Sequence, residues 1–442
     1  MQPKNFRFGG GTAGTAIHPA VAVAVLIAVV LILALPRNKA IFPFLLTYFM
    51  TPDAEVLVLG GVHLFMLQIL ILTALVKMLS SRKSRLGKFS GGFNDLDKVV
   101  VLWSSLELIM FLIQYPEMGA LIKGLGDSVV NIGGYFAMRF LISDRDAVRR
   151  ALKALAVVCL IQGPCMVSEQ FTHQNVFSFI GKLPPPIREG HVRSEGIMGS
   201  LYGGAFAGLL IPLFLWLSMG KESRKLGLAG LAGAVAMVAA THASTSWMAL
   251  GAGVVGLAFW PLRKQMRPIR FGIGITLVGL HLTMNGPVWS LIEKVDLTGG
   301  SSSYHRYMLV DNTIRHFSQW WLMGYKDFPS WGFDMFDLCD QYVVAAVTGG
   351  LPALILFIMI FKRAYGALGT ARRRVQGDRL QEPLFWCLGA SLFSITVSSF
   401  GINYMYHLMT CFFVLVACIS VTTFKAKEAT VRISETNIVP CV

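Results

Sequence analysis

The sequence predicts an all-α, polytopic bundle of transmembrane helices, and three observations predict it. Hydrophobic residues make up 54% of the chain and charged residues only 14%, well below the ~25% charged of a soluble domain. The apolar residues come in runs near the ~20 residues that one crossing requires. The basic residues behind the formal charge of +15 sit in short gaps between those runs. They group as Arg82, Lys83, Arg85 and Lys88; Arg145, Arg149 and Arg150; Lys221, Arg224 and Lys225; Arg263, Lys264, Arg267 and Arg270; and Lys362, Arg363 and Arg372 to Arg374. Dispersed in this way they form the positive-inside pattern and face the cytoplasm. A nucleic-acid partner would need the charge on one folded face, and none is expected. The seven cysteines lie mostly inside apolar runs, which excludes a disulfide scaffold.

In order, the runs are 18–35, 54–79, 99–115, 125–143, 151–167, 196–219, 226–241, 244–262, 271–287, 342–361, 384–400 and 404–424, which makes about twelve spans. The first follows Lys4 and Arg7, but Pro36, Arg37 and Lys39 stand where a cleavage site needs small residues, so an uncleaved anchor is expected. Run 40–50 is too short to span comfortably and is expected as a half-inserted hairpin partner of the first helix, which leaves both termini cytoplasmic. The outer side then receives segments 168–195 and 288–339. The second is not basic: Lys294, Arg306, Arg315 and Lys326 stand against Glu293, Asp296, Asp311, Asp327, Asp334 and Asp337. The expected organisation is one integral membrane domain over 1–442, with 288–339 as a long extracytoplasmic loop containing short helices.

The most informative stretch lies in that loop. Gly299 to Ser303 supplies a turn and a helix start, and neither proline nor glycine follows until Gly324. At roughly 100° per residue, His305, Asn312 and His316 fall within about 40° of one another, flanked on opposite sides by Arg306 and Arg315. A neutral imidazole between two guanidiniums suits an anionic substrate with a hydroxyl acceptor, because arginine grips phosphate bidentately and histidine takes a proton near neutral pH. His316 is the preferred base, with His305 and Asp340 as rivals. The competing reading makes Asp311 and Arg315 a surface ion pair at i, i+4 and the histidines headgroup-boundary residues. Trp320 and Trp321 are candidate sugar-stacking rings or part of an aromatic belt. Arg193, ahead of the run that opens at Gly196, is placed to hold a pyrophosphate at headgroup depth or to pair with Glu195 or Glu189.

Charged residues inside the runs need a partner or a purpose. Lys123 with Asp127, and Glu107 with Arg139, are expected to pair. His63 and His281 are expected as packing residues on apolar helices, and Asp95 and Asp97 as solvated loop charge. No H-E-x-x-H, C-x-x-C or G-x-x-x-x-G-K motif is present, so neither metal nor cofactor is expected.

Three pieces of this pattern resemble the superfamily of O-antigen ligases and O-antigen polymerases. They are Arg193 ahead of Gly196 and Gly199, the turn Ser244-Thr-Ser-Trp247, and a long outer loop ending in Asp340-Gln-Tyr-Val-Val-Ala-Ala-Val-Thr-Gly-Gly-Leu351. Arg306 resembles the arginine that opens the family's loop helix, and Trp320 to Gly324 occupies the place of its h-P-x-x-G segment, with Trp321 for the proline. The resemblance implies a metal-independent glycosyltransferase of the bacterial inner membrane, with an undecaprenyl-pyrophosphate-linked glycan as donor and a polysaccharide or lipid as acceptor. In it, two arginines bind pyrophosphate and an outer-face histidine assists the acceptor hydroxyl. Cys339-Asp340 stands where the ligases carry His-Asn, which favours exopolysaccharide polymerisation over ligation. The alternatives are a transporter or flippase of lipid-linked saccharide and a non-catalytic scaffold of envelope synthesis.

Overall fold

The computed structural model describes residues 14–59, 62–81, 89–188, 190–294 and 302–436. Lys4, Arg7, the cluster Arg82 to Lys88, Glu189, Asp296 and the turn at 299–301 lie outside them. The described part of the chain is 75% helical. Its helices, in order, are α1 (Pro19–Ala34), α2 (Arg37–Phe49), α3 (Met66–Ser80), α4 (Asp95–Gln114), α5 (Met118–Ser128), α6 (Gly134–Leu141), α7 (Arg145–Thr172), α8 (Ser200–Met219), α9 (Arg224–Thr241), α10 (Ser244–Ala258), α11 (Met266–Thr283), α12 (Leu291–Lys294), α13 (Ser302–Arg315), α14 (Phe317–Trp320), α15 (Gln341–Arg374), α16 (Gln381–Ser398) and α17 (Tyr406–Thr436). Two small antiparallel hairpins, Val56–Leu59 with Val62–Phe65 and Ile187–Arg188 with His191–Val192, complete it.

Among the described residues, five helices are long and apolar enough to cross a membrane: α7, α8, α9, α15 and the Tyr406–Phe424 part of α17. A sixth is reached if α11 counts together with Val288–Lys294, bent 98° from it. The other apolar runs fold as shorter or charge-bearing helices that contribute to one buried core running from α1 to α17, except run 271–287, whose helix α11 buries none of its residues. Small residues set its closest approaches: a Cβ on Gly163 of α7 would lie 2.7 Å from the Gly233 carbonyl oxygen of α9, so those backbones touch directly.

Side-chain contacts fix which ends of the helices meet. At the end that carries 302–340, which we call the loop end, Gln114 Nε2 donates to Met323 O and Thr348 O at 2.7 and 2.8 Å. At the opposite end, Arg150 donates to Asn38 O, Arg372 to Arg263 O, and Asn94 to Ser420. The basic groups at 145–150, 221–225, 263–270 and 372–374 therefore share the end away from 302–340.

The first two helices depart from expectation. Run 40–50 is not a half-inserted appendage: α2 runs antiparallel to α1 and packs on α7, with Ala40, Ile41, Phe44, Leu45, Tyr48 and Phe49 fully buried. A helix buried in protein is free of the length requirement set by lipid. This full pass brings residues 14–18 to the loop end, where the His18 amide donates to Glu55 at 2.8 Å. The last helix runs the other way, from Tyr406 at the loop end past Ser420, so the described ends of the chain lie on opposite sides.

Residues 302–339 have a core of their own, built from Leu309, Trp320, Trp331 and Met335 against Val343, Ala346 and Val347 of α15. α15 is interrupted at Gly350 (φ 72°), which leaves backbone groups to be satisfied from outside the helix. Tyr325 donates its amide to Val347 O, and Leu351 donates its own to Trp321 O, both at 2.8 Å. A Cβ at Gly350 would stand 2.7 Å from Leu322 O, so only glycine fits the clasp.

Candidate active site at the loop end

Arg306 is the fifth residue of α13 and is nearly fully buried, with 4% exposed. Its Nη2 donates to Ser244 Oγ at 2.7 Å and Thr245 Oγ1 at 3.1 Å, the first two residues of α10. Thr245 Oγ1 in turn donates to Gly401 O at 2.8 Å, in the turn between α16 and α17. Three segments far apart in sequence thus converge on one guanidinium.

Asp340 closes the same loop and caps α15. Its Oδ1 accepts the amides of Tyr342 and Val343 at 2.8 and 3.0 Å, the side chain is wholly buried, and Oδ2 makes no hydrogen bond. Burial raises its pKa while the two amides and the Arg306 charge lower it; burial wins, and the carboxyl is pushed up to about 7. The neighbouring Cys339 thiol is pushed up to about 12 by burial.

Arg193 follows the small hairpin ahead of α8. It donates its amide to Pro186 O at 2.9 Å, and Ser194 donates to Ala240 O at the end of α9. Gln170 ties the same place together, with Nε2 at 2.7 Å from both Ser194 Oγ and Ala240 O. His242, left-handed at φ 43°, stacks on His191 at 4.9 Å. Burial, His191 and the Arg193 charge all lower its pKa. Arg193 and Arg306 therefore approach the α9–α10 turn from its two sides, Arg193 by Ala240 and Arg306 by Ser244.

The rest of the expected helix face is not assembled. α13 ends at Arg315, and His316 lies beyond it with its ring stacked on Trp331 at 5.0 Å and Nδ1 on Asn312 O at 2.8 Å. His305 instead places Nε2 on Asp337 O at 2.9 Å. Arg315 is exposed and pairs with Asp311 at 2.6 Å, so the two arginines do not flank a common base. The reason is that α13 packs edge-on: Arg306, Asp311, Asn312 and Thr313 face the protein and Arg315 faces away. Trp320 is buried, its indole donating to Thr313 O, and is unavailable for stacking on a sugar. Trp321 keeps an exposed ring, while its carbonyl serves the α15 interruption.

The intramembrane charges divide the same way. Lys123 and Asp127 do pair, at 2.5 Å. Arg139 pairs not with Glu107 but with Asp97, at 2.9 Å, both fully buried. α5 and α6 run antiparallel to α4, which brings Arg139 level with the first turn of α4; Glu107 lies ten residues further on, ~15 Å along the axis. Asp97 is accordingly not a solvated loop charge. His63 lies in a strand rather than a helix, and His281 accepts the Val288 amide. Among the described residues, no three His, Cys, Asp or Glu side chains are grouped to hold a metal ion.

Tyr202 and Asn403, joined by a 2.8 Å hydrogen bond at the loop end, escaped the sequence reading. Asn403 falls in the gap between runs 384–400 and 404–424, too short to draw notice, yet a polar residue between two apolar runs was a usable signal. No family model matches the chain, and no curated protein matches it.

Proposed function

We propose that the protein transfers a glycan from an undecaprenyl-pyrophosphate carrier to an acceptor hydroxyl at the loop end, with polymerisation favoured over ligation. The observation that carries this reading is Asp340: a buried carboxyl poised near neutrality, with one unengaged oxygen, in the field of Arg306. A general base works best when its pKa is near the operating pH. In the proposed step, Asp340 Oδ2 takes the proton of the acceptor hydroxyl as that oxygen bonds to the anomeric carbon. The bond from that carbon to the pyrophosphate oxygen breaks, and the arginines at the α9–α10 turn offset the charge on the departing undecaprenyl pyrophosphate. The base is thus the carboxylate and not His316, whose ring is committed to Trp331 and Asn312 O. The basic groups at the opposite end support a cytoplasmic location for that end in a bacterial inner membrane.

The test is conversion of undecaprenyl-pyrophosphate-linked oligosaccharide by membranes carrying the wild type or Asp340→Asn, in the presence of EDTA. Wild-type membranes should lengthen or transfer the glycan and the variant should not. Loss of wild-type turnover with EDTA, restored by magnesium, would refute the metal-free step. In a deletion strain, unpolymerised lipid-linked repeats would mark a polymerase and long unattached polymer a ligase. Transport is the second reading, favoured by two interrupted helices, α15 at Gly350 and the π-helical turn Val129–Gly133 between α5 and α6. It predicts translocation of the lipid-linked glycan with no change in its length.

A further inference from the structure

A cavity of about 690 Å³ opens beside this site, between α3, α4, α5, α15 and the turn at 403–406. Its size falls in the range of about 300–1,000 Å³ that encloses a small organic ligand. A buried donor on its α4 wall goes unused: Ser104 Oγ (3% exposed) makes no hydrogen bond, while the Trp103 indole beside it is directed to Glu107. An orphaned buried donor of this kind calls for a partner that the protein itself does not supply. Asn131 presents an amide from the π-helical turn on the facing wall, a helix irregularity that often marks a functional site.

The lining chooses the ligand class. The Ser104 hydroxyl, the Asn131 amide and the Glu107 carboxyl offer donors and acceptors, and the rings of Phe65, Phe111 and Tyr406 offer flat apolar faces. Lys123, the lysine in the lining, is already paired with Asp127, which leaves little positive charge for an anion. A neutral, hydroxyl-rich molecule with alternating polar and apolar faces fits, and that is a saccharide. Gln341 and Asn403 form the wall toward the site described above. Gln341 directly follows Asp340, and Asn403 accepts the Tyr202 hydroxyl.

We propose that this cavity is the acceptor subsite, holding a neutral oligosaccharide with its reacting hydroxyl directed to Asp340. The acceptor role rests on the transfer reading; saccharide binding does not. The test uses the full chain in lipid nanodiscs, with Ser104→Cys and, in case that variant misfolds, Asn131→Cys. The rate of maleimide labelling is measured with neutral oligosaccharides released by mild acid from the source cells, and separately with inorganic pyrophosphate. At ten times the half-protecting concentration, the oligosaccharides should slow labelling about tenfold by mass action. Pyrophosphate should not slow it, and adding Glu107→Gln should weaken the protection. Absence of protection at both positions, or equal protection by pyrophosphate, overturns the site. If transfer proceeds without protection, the subsite is wrong and the transfer reading stands. If protection occurs in a protein that transfers nothing, the saccharide site stands and its acceptor role falls.

Discussion

A buried arginine acts on a buried aspartate at each end of this bundle, and the two sets are built differently. At the end away from 302–340, Asp97 is used on both oxygens: Oδ1 accepts from Tyr135 at 2.5 Å and Arg139 at 2.9 Å, and Oδ2 accepts from the Asn94 amide at 2.8 Å and from Arg139 at 3.3 Å. At the loop end, Arg306 spends its hydrogen bonds on Ser244 and Thr245, and Asp340 keeps Oδ2 unengaged. The same two residue types thus make a closed structural knot in one place and an open, chemically poised pair in the other. What separates them is how many lone pairs the fold satisfies, not burial.

Breaking the closed pair should have the largest effect. Asp97→Asn strands the Arg139 charge in the interior, a loss of about 3–5 kcal/mol. It should appear as aggregation in detergent or a collapse of the thermal transition, and a variant as stable as wild type would show that the knot is not structural. The open pair should behave in the opposite way. Asp340→Asn should lower transfer by about 10²–10⁴-fold, the usual worth of a general base, with an unchanged or raised melting temperature. Activity that survives in Asp340→Asn but vanishes in His316→Ala would reverse the assignment of the base.

The pH dependence sharpens the contrast. With the folded Asp340 carboxyl raised to about 7, the rate should climb with pH through that value as the base form appears. Stability runs the other way. The folded state holds this proton while the unfolded state releases it near ~3.9, so deprotonating Asp340 costs stability progressively from about pH 4 up to about 7. Asp340→Asn should flatten that part of the stability profile, measured by thermal denaturation across pH.

Arg306→Lys should be nearly as damaging to transfer as Arg306→Ala, because lysine keeps the charge but not the planar, delocalised guanidinium that suits phosphate. Full activity in the lysine variant would exclude a role for guanidinium geometry. The smallest effect belongs to Arg315, whose pairing with Asp311 is largely exposed on the arginine side. Arg315→Ala should change stability by no more than ~1 kcal/mol and leave transfer near wild type. The arrangement of the ends has its own check: cysteines at Thr15 and Phe333 should label with an impermeant maleimide from one side of the membrane, and a cysteine at Arg373 from the other.

The sequence by itself determined that the chain is helical and apolar, where its basic gaps fall, and that Lys123 and Asp127 pair. Those properties depend on local composition and on spacing of a turn or two, which one-dimensional reading captures. It also picked out Arg193, Arg306 and Asp340 as residues of interest. Only the tertiary structure decided among them. Helical spacing placed Arg306 and Arg315 symmetrically about one face, and only the packing of α13 buries the first and exposes the second. Likewise, nothing in Cys339-Asp340-Gln341 reveals that the aspartate is enclosed, because its surroundings are tertiary: the Arg306 charge acts on it, and the next residue, Gln341, donates its amide to Ser399 O. Desolvation is a property of what surrounds a group in space, and it is desolvation that turns an ordinary helix cap into a carboxyl able to take a proton at neutral pH.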